Sequence, residues 1–244
     1  MKKLFLFAAV MFSSISFSSC SEDGNKESQT SQKLLKQIEE ISADKTIYYD
    51  FSYDDQQRLA KVIVDGDICY SNGDFTYTYT DNSVGVKFNS SCGDEYSYDA
   101  AFALDHNGYV TEFDINGKIN WRYEYENGYV SKKQSTSVVS PLFWTYRWEN
   151  GNLMEQRNSY SNSTTYTYTD KPNKLNINLF DAQFGLGNFG IFAYVVFLPT
   201  NFKGSIPSNY PASADNSNIY YEYDDEGYPT QIVGPNANYI LTYY

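Results

Sequence analysis

The feature that most constrains this chain is a short pattern repeated along most of its length: aromatic residues two apart, an acidic or Asn-rich turn, then aliphatic and polar residues. It reads Phe51-Ser52-Tyr53-Asp54-Asp55-Gln56-Gln57-Arg58-Leu59, Tyr77-Thr78-Tyr79-Thr80-Asp81-Asn82 and Asp105-His106-Asn107-Gly108-Tyr109-Val110. It returns as Tyr123-Glu124-Tyr125-Glu126-Asn127-Gly128-Tyr129-Val130 and Tyr146-Arg147-Trp148-Glu149-Asn150-Gly151-Asn152-Leu153. Two further copies are Tyr166-Thr167-Tyr168-Thr169-Asp170 and Tyr221-Glu222-Tyr223-Asp224-Asp225-Glu226-Gly227-Tyr228. Residues two apart share one face of a strand, so the tyrosines form an aromatic face and the intervening Thr and Glu a polar one. Asn-Gly tolerates positive φ at both central positions, which matches a hairpin turn to the twist of its flanking strands. The first six turns recur about every 20 to 25 residues, room for two strands and two turns. Opposite turns are legible at 65–73, 90–94, Asn116-Gly117, Ser140-Pro141 and 160–163. The expectation is an all-β fold, an up-and-down antiparallel meander of about 14–17 short strands. It is curled into a flattened soluble barrel or left as an open curved sheet.

Composition agrees. Among 244 residues there are 25 Tyr, 16 Phe and 3 Trp, apolar surface that a disordered chain lacks. Thirty acidic against 18 basic residues give a net charge of -12, which argues against nucleic acid or an anionic membrane gathered by charge. Other stretches lie outside the copies of the repeat. Leu34, Leu35, Ile38 and Ile41 have helical spacing and read in isolation as a short amphipathic helix. Leu175, Ile177 and Leu179 alternate as a returning strand, and Ile191 to Leu198 is a continuous apolar run, as in a strand buried on both faces.

The N-terminus carries an address. Lys2 and Lys3 precede an apolar run that ends in Ser18 and Ser19, the layout of a signal peptide over residues 1–19. The following Cys20 resembles the lipobox cysteine of bacterial lipoproteins, with Phe17 where Leu is usual and Ser19 where Gly or Ala is commoner. Ser21, Glu22 and Asp23 resemble the acidic signal that sends Bacteroidota lipoproteins to the outer leaflet of the outer membrane. That resemblance implies lipidation at Cys20, a flexible tether over 20–32, and one β-repeat domain over 33–244. Its partner in the outer membrane would be the lipid anchor alone, with the domain facing the cell exterior. Cys69 and Cys92 remain. They lie beyond the open end of the hairpin formed by 75–80 and 84–88, on opposite arms, and are expected to form one disulfide in an exported chain. Two free buried thiols are the alternative.

The repeat resembles the Tyr-Asp repeats of Rhs-type shell proteins, through Tyr53-Asp54, Tyr223-Asp224 and Gly227. More closely, the domain resembles an uncharacterised Bacteroidota lipoprotein family described as having a porin-like fold. The resemblance rests on Lys33-Leu34-Leu35-Lys36-Gln37-Ile38, then Ile47-Tyr48-Tyr49, then Tyr53-Asp54-Asp55-Gln56-Gln57-Arg58-Leu59, with Gln57 where Gly is usual. It implies that Leu34 to Ile41 is a strand, and it supplies no activity. Strands of about seven residues are shorter than the nine to eleven that a membrane strand needs, so a closed barrel is expected to stand in water.

No catalytic, metal or cofactor motif is complete. Gly185-Leu186-Gly187-Asn188-Phe189-Gly190 matches a dinucleotide fingerprint literally but precedes a β-rich run closed by Pro199, as a loop between strands would. The single histidine, His106, stands in a turn without a nucleophile to serve. Asp65-Gly66-Asp67 and Asp224-Asp225-Glu226 lack a full calcium ligand series. Most acids occupy turns, where Asp and Asn bond the backbone. The tyrosine pairs read as core. Trp121, Trp144 and Trp148, near turns where a barrel end opens, are the candidates for ligand binding, since indole faces suit protein contacts and sugar rings. The functional expectation is a non-catalytic, surface-exposed lipoprotein that binds a glycan or protein partner through these aromatics or the loops 185–190 and 199–218. A structural envelope or shell protein is the alternative, and a glycoside hydrolase using paired carboxylates ranks third.

Overall fold

The computed structural model describes residues 32–66, 72–136, 142–175, 204, 206–215, 217–235 and 237–244. Within the unit Gln32–Tyr244, seventeen strands form one antiparallel sheet. They are β1 Leu35–Ile41, β2 Thr46–Tyr53, β3 Leu59–Asp65, β4 Gly73–Tyr79, β5 Ser83–Ser90 and β6 Tyr98–Leu104. There follow β7 Val110–Ile115, β8 Lys118–Glu126, β9 Tyr129–Ser135, β10 Phe143–Glu149, β11 Asn152–Asn158 and β12 Ser163–Pro172. The last five are β13 Asn209–Ala214, β14 Ser217–Asn218, β15 Tyr220–Tyr223, β16 Pro229–Val233 and β17 Asn238–Tyr243. Strands pair in chain order, and β17 then pairs with β1, so the meander closes into a barrel. The ladder lapses once: β13 pairs with the short β14, whereas β15 pairs with β16 alone. Across that seam Ile219 N–H reaches Ala212 O at 2.9 Å and Tyr221 O–H reaches Pro211 O at 2.6 Å. Of the two expected forms, the barrel is the one found.

The turns show why the repeat has its spelling. Asp105 Oδ1 accepts from the N–H groups of Asn107 and Tyr109, both at 2.9 Å, and Gly108 takes φ +83°. Asp224 repeats this with Glu226 and Tyr228 at 3.0 and 2.9 Å, and Asp54 with Gln56 and Arg58, both at 2.9 Å. In each, the acid supplies the acceptor that a five-residue turn needs. Gln57, where the resemblance expects Gly, is held at φ 59°. Asn116-Gly117, Asn127-Gly128 and Asn150-Gly151 have both residues at positive φ, as a two-residue hairpin requires. The turns 54–58, 80–82, 105–109, 127–128, 150–151 and 224–228 all fall at one end of the barrel, called here the repeat end; the chain enters there at Gln32. The other is the far end.

A second device accompanies these turns. Five of the hairpins at the repeat end carry a bulge beside the turn, with register shifts at Ser52/Tyr53, Ala103/Leu104, Glu124/Tyr125, Arg147/Trp148 and Glu222/Tyr223, whereas β4 and β5 pair without one. A bulge locally disrupts the ladder. At four of these irregularities an aromatic donor from the next strand binds a carbonyl, beginning with Tyr79 O–H to Leu59 O and Trp148 Nε1–H to Val130 O, both at 2.8 Å. Tyr168 reaches Leu153 O and Tyr243 reaches Pro229 O, both at 2.7 Å. Tyr53 to Leu35 O at 2.7 Å and Tyr221 to Pro211 O at 2.6 Å act likewise, as clasps, beside the shifts at Leu35/Gln37 and Thr167/Tyr168. Burial pushes the hydroxyls of Tyr79, Tyr168, Tyr221 and Tyr243 well above the ordinary tyrosine range.

The strand that the resemblance implies over Leu34 to Ile41 is found, despite the helical spacing of its apolar residues: β1 runs through Leu35–Ile41, and Leu35 and Ile38 are both buried. A register shift between Leu35 and Gln37 inserts one residue, so apolar side chains three apart reach the same face. Leu59 and Val62, and Val110 and Phe113, repeat that step. Asn209–Ala214, expected within a loop, is β13. The runs 185–190 and 191–198, with Ile177 and Leu179, lie outside the described residues; Leu175 is buried.

Candidate functional site

Inward-facing side chains form the buried face, including Tyr49, Phe51, Phe75, Tyr77, Phe88, Phe102, Tyr123, Tyr146 and Tyr166. The tyrosine pairs therefore serve the interior. Near the far end this face changes character on β8, β9 and β10. Trp121 and Trp144 are half-buried and meet edge to face, their rings 5.2 Å apart at 68°. Lys133 stands beside them, 6% exposed, its ammonium 4.3 Å from the Trp121 ring and 5.4 Å from that of Trp144. Register places it there, because Lys133 pairs across β8 with Tyr123 and across β10 with Trp144. A cation over indole faces is attracted by the ring quadrupole. The arrangement offers two indole surfaces and a cation on one wall at one end of the barrel.

The third candidate, Trp148, is elsewhere. It stacks on Tyr129 at 4.9 Å and 22°, and its N–H is one of the clasps at the repeat end. It belongs to the hairpin scaffold. Lys133 was missed by simple alternation, which from the buried Val130 turns Lys132 inward. The register shift at Glu124/Tyr125 turns Lys133 inward instead, three residues from Val130.

Glu40 is a second charged residue at low exposure, 4%, on the inner face of β1. Tyr49 O–H donates to its Oε2 at 2.9 Å. Burial raises the Glu40 carboxyl above the ordinary range, while the Tyr49 bond and the charge of Lys45 pull it back. It is the single buried carboxylate among the described residues. Tyr210 is pushed up to about 12 by burial.

The remaining candidates have structural partners. Asp224 and Glu226, weighed for calcium, hold Lys33 Nζ at 2.7 and 2.9 Å. The Lys33 and Lys174 ammonium groups lie 5.3 and 5.4 Å from the Tyr228 ring centre. Among the described residues no cluster of His, Cys, Asp or Glu is arranged to hold a metal. His106 is exposed at the tip of its turn. Cys20 and Cys69 lie outside the described residues. Near Cys92, Ser91 N–H donates to Asn72 O at 2.9 Å, which brings the two arms of the β4–β5 hairpin together beside that cysteine.

The outer wall is charged. Lys61 pairs with Asp74 at 2.8 Å, Arg122 with Glu112 at 3.0 Å, and Lys132 with Glu124 at 3.1 Å. A shallow concavity on β10 and β11 is lined by Arg147, Glu155 and Arg157, and Glu155 bonds both arginines.

No protein-family model matches the sequence, and no curated protein matches it significantly. Among solved structures the chain is similar to a porin-like protein from Bacteroides vulgatus, with a TM-score of 0.54 and 15% identity over 87% of this chain and 99% of that one. At this identity the likeness is one of fold, and it agrees with the porin-like fold that the domain's resemblance implies.

Proposed function

We propose that this chain is a surface-exposed lipoprotein whose barrel is a non-catalytic binding module, holding a glycan or a protein partner against Trp121 and Trp144. The observation that carries the reading is the half-buried indole pair with Lys133 at the far end, opposite the entry of the chain at Gln32. Buried aromatic anchors of this type dominate recognition where they occur.

The barrel is proposed to stand in water. In a membrane barrel the accessible face is apolar and the lumen polar. Here the apolar face is the buried one, and the accessible wall carries cross-strand ion pairs. Attachment to the outer membrane then rests on Cys20. Mass spectrometry of the protein from a lipoprotein-processing host should find acyl chains on Cys20 and linked peptides containing Cys69 and Cys92. An unmodified Cys20 would remove the anchor, and free thiols would remove the disulfide.

Glycan-array and pull-down screening of the barrel domain should yield a ligand whose affinity falls at least about thirtyfold in Trp121→Ala or Trp144→Ala, the effect of losing an aromatic hot spot of about 2 kcal/mol. Tyr160→Ala, on an exposed turn, should bind normally. Equal affinity in all three variants would refute this site. The second reading, a structural envelope protein, is favoured by the commitment of so many repeat aromatics to clasps; self-assembly with no ligand in either screen would support it.

A further inference from the structure

Glu40 occupies a place in the barrel where an ionised carboxylate is costly. It lies on β1, the strand that completes the circle, opposite Tyr239 of β17 on one side and Ile47 of β2 on the other. The titratable or charged groups facing it are Tyr49 from β2, Tyr239 from β17, and Lys45 from the β1–β2 turn. No ion pair to Glu40 forms among the described residues, and the Tyr49 O–H is its described hydrogen-bond donor. A carboxylate offers about four acceptor sites, so one neutral donor leaves a buried charge poorly compensated. The protonated acid avoids that cost.

We infer that Glu40 is a proton-held latch on the barrel closure: the neutral side chain keeps β17, β1 and β2 zipped at the far end, and its ionisation loosens them. The proton is held more tightly folded than unfolded. Its stabilisation is therefore complete below the ordinary Glu value of 4.5 and is lost as pH rises through the raised value. Asp54, Asp105 and Asp224, held low by their hydrogen bonds, act oppositely and matter only as pH falls below the ordinary Asp value of 3.8. The range above 4.5 separates the two effects.

The test is hydrogen exchange of the mature protein at pH 5 and pH 8, corrected for intrinsic rates and read on peptides covering 35–53 and 238–244. Protection there should be lost in part at pH 8 relative to pH 5, while β5 and β6 hold theirs. Glu40→Gln should abolish the fall. Tyr49→Phe removes a bond that favours the ionised form, so it should move the midpoint to higher pH and provides a second reading should Glu40→Gln fold poorly. A fall of equal size in Glu40→Gln, no fall in the parent protein, or an unmoved midpoint in Tyr49→Phe would each overturn the latch.

Discussion

Phe88→Ala is expected to lower the free energy of unfolding by about 3–5 kcal/mol. Phe88 is 0% exposed on β5, directly opposite Phe75 on one neighbour and Tyr98 on the other. Its ring stacks on Phe75 at 4.5 Å and 28° and lies 5.2 Å from that of Tyr98. Truncation removes the transferred apolar surface and leaves a void between three ladders that hydrogen bonding holds at fixed spacing, which limits collapse. Equilibrium urea unfolding measures the loss. A cost below about 1 kcal/mol, the size of an ordinary surface change, would mean that the Phe75–Phe88–Tyr98 rank does not stabilise the barrel.

Tyr168→Phe is expected to cost about 1–3 kcal/mol although it deletes a single oxygen. The hydroxyl donates to Leu153 O at 2.7 Å, next to the bulge that follows Asn150-Gly151. Phenylalanine keeps the ring and its packing, so the loss isolates the bond and the desolvation of the carbonyl left behind. Burial also disfavours the phenolate, which excludes ionisation as the source of the effect near neutral pH. Unfolding midpoints at equal denaturant slope give the comparison.

Much of the barrel is legible in the sequence because turns and faces have local causes. The acids at 54, 105 and 224 and the Asn-Gly pairs specify where strands reverse, and the Tyr77/Tyr79 and Tyr123/Tyr125 pairs specify which face is buried. What alternation cannot follow is the bulge. A single inserted residue changes the inward step from two to three, so Leu35 and Ile38 imitate a helix and Lys133 imitates a surface lysine. Nothing local announces the insertion, since it is set by the register against the neighbouring strand. The same reason hides Trp148: its spacing is that of a rim aromatic, but Val130 O lies within reach only because the adjacent hairpin is bulged. Trp121 and Trp144 share one site because β9 alone separates their strands, a relation that turn counting does contain.

The aromatic repeat is at root an architectural code: turn, bulge, and an aromatic donor that closes the backbone beside the bulge. The most direct measurement compares urea unfolding of the triple variant Tyr79→Phe/Tyr168→Phe/Tyr243→Phe with that of Tyr160→Phe/Tyr220→Phe, at residues that are 68% and 62% exposed. Clasps on separate hairpins share no partner, so their losses should nearly add. The triple variant is predicted to lose about 3 kcal/mol or more and the exposed pair less than about 1 kcal/mol. Equal stability of the two variants would contradict the clasp and return the repeat tyrosines to simple packing.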